Sequence, residues 1–276
     1  MMAIDVSAPP PTLPAGALVA PGFTVVSHLR RGRSLDIYDV WSEERACRCV
    51  AKLPRPDRHD PGTRQRLINE GRLLLALTHP HIVRGYELID EPTPVLILET
   101  LTGTTLQQAV AQRPLPPRSV ALLGVQLCSA VRYLHAHGVL HLDLKPSNII
   151  SACGIVKVLD LSLAQPPGPG HPGRGTRPYL APEQARGDVL SAAADVWGLG
   201  AVLFEATTGQ RAFRSFGEGR RYDQLERRAD RVASHRHVPA GLARAIDGCL
   251  EPDPAERPTI SELLELLHGP RSHSSR

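Results

Sequence analysis

The sequence predicts an α+β chain in two parts, a strand-rich first third followed by a mainly helical remainder. Three observations carry this. From Phe23 to Glu99 short apolar runs alternate with turn residues in a strand pattern. Beyond Glu99 the apolar residues recur at helical spacing. A chain of 276 residues, 42% hydrophobic and 22% charged, can bury a full core as one large domain or two packed lobes.

Residues 1–21 are rich in Pro and Ala (Pro9, Pro10, Pro11, Pro14, Pro21) and show neither period, which predicts a disordered arm ahead of a fold that starts near Phe23. Strands are expected over Phe23–Leu29, Asp36–Trp41, Arg48–Leu53, Arg84–Leu88 and Val95–Glu99. One helix interrupts them at Thr63–Leu77, with Leu67, Leu74 and Leu77 on one stripe and Glu70 on that same stripe. An inward carboxylate needs a partner. Later helices are expected over Ser119–His137, Ala192–Thr208 and Ile260–Leu267, with another starting near Pro239. The Ala192–Thr208 segment is apolar nearly all round (Val196, Trp197, Leu199, Val202, Leu203, Phe204), so it belongs in a core. Residues 269–276 are expected to fray.

Composition excludes several function classes. A net charge of +4, from 32 basic and 28 acidic residues, is too mild to argue for nucleic acid or an anionic membrane. Five cysteines (Cys47, Cys49, Cys128, Cys153, Cys249) are an odd number without ligand-like spacing, against a disulfide framework or a zinc site and in favour of a reducing, cytoplasmic compartment. No apolar run reaches membrane-spanning length, and the N-terminus has no secretion-signal pattern. His235 and His237 flank Arg236 without an acidic or thiol partner at ligand spacing, and read as a solvated loop face.

The sharpest chemical signal is His141-Leu142-Asp143-Leu144-Lys145-Pro146-Ser147-Asn148, followed by Ile149-Ile150 and by Asp160 in Val158-Leu159-Asp160-Leu161-Ser162. Phosphoryl transfer needs an acceptor for a hydroxyl proton, a cation beside the moving phosphoryl group and oxygen ligands for magnesium. Three further features stand in order: Val50-Ala51-Lys52 on a strand followed by the inward Glu70; Gly175-Thr176-Arg177-Pro178-Tyr179-Leu180-Ala181-Pro182-Glu183; and Asp195 in an apolar helix, then Arg257-Pro258.

Together these resemble the protein kinase family over roughly residues 23–268, which implies a bilobal protein-kinase-like fold: a small antiparallel sheet lobe with one helix (about 22–99) and a larger, mainly helical lobe (about 102–268). The resemblance implies a catalytic set of Asp143, Lys145, Lys52 and Glu70, with Asn148 and Asp160 as ligands for Mg2+ or Mn2+. It implies ATP contacts from Leu29, Gly32, Ile37, Val50, Lys52 and Ile150, with Leu98 at the rear and the backbone of Glu99 and Leu101 at the adenine edge. Glu183 would pair with Arg257, and Asp195 would accept hydrogen bonds from the catalytic-loop backbone. Lys145 and Thr176 match the serine/threonine pattern, so the implied partner is a protein substrate with a Ser or Thr acceptor.

Three departures stand out. The glycine-rich loop, Leu29 to Tyr38, keeps only Gly32, with Arg30 and Leu35 where glycines belong, so backbone approach to phosphates suffers unless Arg30, Arg31 or Arg33 compensates. Asp160-Leu161-Ser162 replaces Asp-Phe-Gly. Leu142 replaces the arginine that grips a phosphorylated activation loop. Asp160 to Glu183 offers only Ser162, Thr176 and Tyr179 as hydroxyls, which predicts activity independent of phosphorylation there. The alternative is a pseudokinase scaffold, acting through partners and binding ATP weakly or not at all. An interaction module built on the Pro-rich arm is a third class.

Overall fold

The computed structural model describes residues 10–58, 60–214 and 222–268. These form two compact units: the described residues up to Thr78 with Val83–Leu101, and His79–Ile82 with the described residues from Thr102 onward.

The first unit is a six-stranded antiparallel sheet of β1 (Leu18–Ala20), β2 (Phe23–Arg31), β3 (Leu35–Ser42), β4 (Cys47–Pro54), β5 (Gly85–Ile89) and β6 (Val95–Glu99), in the order β1-β2-β3-β4-β6-β5. Its single helix, α1 (Pro61–Ala76), starts where Asp60 accepts the Gly62 N–H and Pro61 presets the first turn. The stripe expected on this helix is buried at Leu67, Glu70 and Leu74. Gly71 lets the helix approach β5, because a Cβ there would lie 2.8 Å from Leu88 Cδ1.

The arm differs from expectation from Pro10 onward. Pro10–Pro21 does not hang free: β1 pairs with β2, the Leu13 N–H donates to Tyr38 Oη at 3.0 Å, and Leu13, Ala17 and Val19 pack on a cluster of Phe23, Val25, Tyr38, Val40, Cys49 and Ile97. The reason is the hydrophobic effect: the sheet has an apolar face that the arm's few apolar side chains cover. Residues 1–9 and the tail 269–276, which were expected to be mobile, lie outside the described residues.

The second unit contains β7 (Thr104–Thr105), α2 (Leu106–Gln112), α3 (Pro117–Ala136), β8 (Ile149–Ala152), β9 (Ile155–Val158), β10 (Gly168–Pro169), α4 (Pro182–Arg186), β11 (Val189–Leu190), α5 (Ala192–Thr208), α6 (Asp223–Glu226), α7 (Ala240–Cys249) and α8 (Ile260–His268). Helix α5 is buried on every side from Ala194 to Thr207, capped by Ser191 at its start and by Gly209 in a left-handed conformation at its end. Trp197 on α5 stacks on Phe213. The strands β7, β8 and β9 form a small antiparallel sheet that helical spacing alone does not predict. Of the expected solvated loop face, Arg236 is half-buried: its Nη1 donates to the carbonyls of Leu115 and Thr207.

Candidate active site

In the first unit, the register of β4 against β3 and β6 sets Lys52 opposite Ile37 and Leu96, and Val50 opposite Leu98. Directly opposed residues share a face, so Ile37, Val50, Lys52 and Leu98 present one surface of the sheet. Lys52 Nζ donates to both Glu70 carboxylate oxygens at 2.7 Å, and the carboxylate is fully buried. Each charge would be costly there without the other. Leu29 lies at a register shift of β2 and is 53% exposed.

The turn joining β2 to β3 is closed by Gly32 N–H donating to Leu35 O at 2.8 Å, and is tied to the end of β4 by Arg55, whose N–H reaches Ser34 O and whose Nη1 reaches Gly32 O, both at 3.0 Å. Arg31 is not available to replace lost glycines. It forms a two-pronged ion pair with buried Asp36 and donates to Pro10 O. Burial alone would raise the Asp36 carboxyl, but hydrogen bonds from Arg31 and His28 hold it below the usual carboxylate range.

In the second unit, residues 141–148 fold around two fixed points. Asp195 on α5 accepts the N–H groups of His141 and Leu142 and the His135 ring, each at 2.8 Å. Burial works against its charge, yet the His135 hydrogen bond and the other donors keep its carboxyl below the usual range. This holds Leu142 at φ +65°, a left-handed backbone for a side chain with a Cβ. The second point is His141, whose Nδ1 accepts the Asp143 N–H and whose Nε2 therefore donates to Leu159 O, next to Asp160.

Asp143 consequently faces a fixed set of partners. Thr176 Oγ1 donates to its Oδ1 at 2.7 Å, Lys145 Nζ donates to its Oδ2, and Lys145 also donates to Thr176 Oγ1 at 2.7 Å. Asn148 Nδ2 donates to the Asp143 carbonyl at 3.1 Å and to Oδ2 at 3.3 Å, which commits the amide nitrogen and turns the amide oxygen elsewhere. Asp160 sits at φ +62°, and its Oδ1 accepts the Ser162 N–H. The pair expected between Glu183 and Arg257 is present at 2.6 and 2.9 Å, with Arg257 lying over the Trp197 ring.

The protein kinase domain family matches residues 23–267 of this sequence. The chain belongs to the protein kinase family. It is similar to the serine/threonine-protein kinase PknB of Mycolicibacterium smegmatis, 37% identical over 210 residues, covering 70% of this chain and 32% of that protein. It is also similar to the serine/threonine-protein kinase PkaA of Streptomyces coelicolor (34% over 217 residues; 72% of this chain, 38% of the relative) and to the serine/threonine-protein kinase ULK3 of Mus musculus (29% over 279 residues; 92% and 57%). The chain thus spans about a third of the length of these bacterial relatives. The α+β kinase fold expected from the resemblance is the one observed.

The kinase activation segment, from Asp160 to Glu183, is tied down by backbone bonds. Gln165 and Leu140 exchange N–H···O bonds, Gly168 and Pro169 (β10) pair with Leu190 and Val189 (β11), and Gly170 N–H donates to Asp188 O at 3.0 Å. Two glycines permit this approach: a Cβ on Gly170 would lie 2.5 Å from Asp188 O, and one on Gly187 would lie 2.6 Å from Pro172 Cδ. Of the segment's hydroxyls, Thr176 is engaged by Asp143. Tyr179 is buried, donates to Glu205 Oε2 at 2.6 Å, and has its phenol pushed up by burial and that bond.

Sequence reasoning missed the roles of three side chains that shape this site: His141, Gln184, whose Nε2 donates to Leu142 O at 2.9 Å, and Gln224 on α6. All three hold backbone carbonyls, a role that no spacing announces. The signal the sequence offered was a histidine two residues before Asp143.

Proposed function

We propose that this kinase is a serine/threonine protein kinase that transfers the γ-phosphate of ATP to a protein hydroxyl. The observation that carries the reading is the closed set of bonds among Asp143, Lys145, Asn148 and Thr176. Asp143 is a carboxylate aimed by its neighbours; it would accept the proton of the attacking Ser or Thr hydroxyl as that oxygen bonds to phosphorus and the bond to the β-phosphate oxygen breaks. Lys145 would sit beside the developing charge. Thr176 aligns the carboxylate and marks where an acceptor docks. Lys52, oriented by Glu70, would hold ATP phosphates, and Ile37, Val50, Ile150 and Leu98 would meet the base, with the Glu99 and Leu101 backbone at its edge.

The donor set fits magnesium or manganese, since the Asn148 amide oxygen and the Asp160 carboxylate are hard oxygen ligands of the kind such ions take along with phosphate and water. When bound, the ion neutralises phosphate charge during transfer. Activity is proposed not to require phosphorylation of the activation segment, because backbone pairing already orders it, Tyr179 is buried and Leu142 offers no cation to a phosphate. A cytoplasmic site of action is supported by five free cysteines among the described residues, three of them buried. Among those residues no helix is long and apolar enough to cross a membrane.

The test is transfer of label from γ-labelled ATP, with magnesium and then manganese, to the protein itself and to a generic basic acceptor, beside Asp143→Asn. The rate should fall at least about a hundredfold in the variant. No transfer by the unaltered protein, with ATP still raising the melting temperature, would make it a nucleotide-binding pseudokinase. Phosphopeptide mapping of the same reaction should find no stoichiometric, rate-raising phosphate between Asp160 and Glu183.

A further inference from the structure

Helix α6 is one turn long, and its Gln224 is only 3% exposed. Gln224 Nε2 donates to two carbonyls at once, Arg177 O at 3.0 Å and Leu180 O at 2.9 Å. These carbonyls bracket the turn that follows Thr176, the residue bonded to Asp143. The amide orientation is forced, because the reverse would set its oxygen against both carbonyls. Gln224 Oε1 is buried and has no hydrogen-bond partner among the described residues. A glutamine held with half its amide unsatisfied is a poor core residue compared with Met or Leu of similar size. Its value lies in what the other half grips.

The base of this grip is itself fixed. Asp223 accepts the Arg214 N–H at 2.9 Å and Arg227 Nε at 3.0 Å, while Arg227 Nη2 donates to Ala212 O at 2.7 Å. Tyr222, just before α6, lies so close to Gly173 that a Cβ there would meet its hydroxyl at 2.1 Å. The helix therefore contacts the activation segment on both sides of Thr176, through Gly173 before it and the Arg177–Leu180 turn after it.

We propose that Gln224 is a positioning residue for the protein acceptor: by clamping the Arg177–Leu180 turn it sets where Thr176 meets Asp143, and so controls acceptor affinity without touching ATP. The inference rests on the serine/threonine kinase reading and gives α6 a role in it.

The experiment compares the full chain with Gln224→Met, which keeps the length and removes the donors. It reads KM for the acceptor, KM for ATP, acceptor-free ATP hydrolysis, and amide hydrogen exchange at Tyr179 and Leu180. Loss of two buried hydrogen bonds should raise acceptor KM about tenfold or more and speed exchange at both amides, with ATP KM and acceptor-free hydrolysis within about twofold. Unchanged exchange overturns the clamp. Faster exchange with an unchanged acceptor KM, or both KM values rising together, overturns the positioning role. Should Gln224→Met not fold, Gln224→Asn, one methylene too short to reach both carbonyls, is read by the same criteria. If the unaltered chain transfers phosphate to no acceptor, the kinase reading falls and takes the positioning role with it, while exchange still decides whether Gln224 holds the turn.

Discussion

Lys52 and Glu70 are a buried pair of opposite charges, each offsetting the cost of burying the other. Removing one partner of such a pair costs about 3–5 kcal/mol, whereas replacing both with packed apolar side chains is often neutral or stabilising. Lys52→Met should therefore lower the urea midpoint sharply, and adding Glu70→Leu should restore most of it; additive losses would show that the pair does not act as a unit. Asp195 has a carboxyl held below its ordinary value. Its contribution is present above the unfolded value of about 3.9 and is lost as pH falls toward the folded value. Melting temperature followed from pH 7 down to 3 should fall less steeply below pH 4 in Asp195→Asn, which should start from a lower value at pH 7. An identical acid slope would place the titration elsewhere. At this scale Glu70 stood out from the pattern itself, because a carboxylate on an apolar stripe needs a partner, whereas Lys52, Asp143, Asn148 and Asp160 were singled out through the resemblance to protein kinases. Gln184 and Gln224 were not, since a glutamine that holds a carbonyl reads like any polar surface residue.

At the scale of elements, the β10–β11 pairing and the Gly170 bond to Asp188 O tie a stretch rich in Pro and Gly to the backbone beside it. Its glycines are there for close approach more than for flexibility. Gly187 sits at φ +85° with Pro172 packed against its missing Cβ, so Gly187→Ala combines backbone strain with a clash and should cost about 1–3 kcal/mol. Thermal melting measures that loss, and amide exchange at Gly170 should rise as its bond to Asp188 O opens. A melting temperature and exchange rate like those of the unaltered protein would mean that the segment is ordered by something else. Long periodic elements were legible almost to the residue, as with Ala192–Thr208, where fourteen buried positions leave an unmistakable apolar run. The two- to four-residue strands β7 to β11 fall below any periodic window, and their pairing is set by partners distant in sequence.

At the scale of the whole molecule, composition and period divided the chain correctly into a strand-rich and a mainly helical part, but misjudged where the first begins. Proline and alanine in residues 1–21 predict disorder only if no apolar surface awaits them. Here β2, β3, β4 and β6 offer one, and Leu13, Ala17 and Val19 cover it. The consequence is measurable through cysteine chemistry. Cys47 and Cys153 are exposed, while Cys49, Cys128 and Cys249 are buried, and burial pushes the Cys49 thiol up to about 11, so at neutral pH it is almost wholly un-ionised and shielded from alkylation. The intact chain should take up two alkylating groups under native conditions. A chain starting at Pro21 uncovers the cluster that contains Cys49, so its melting temperature should drop and a third group should appear, assigned to Cys49 by peptide mass. If both chains stop at two groups and melt together, the arm lies on the sheet without contributing to its core.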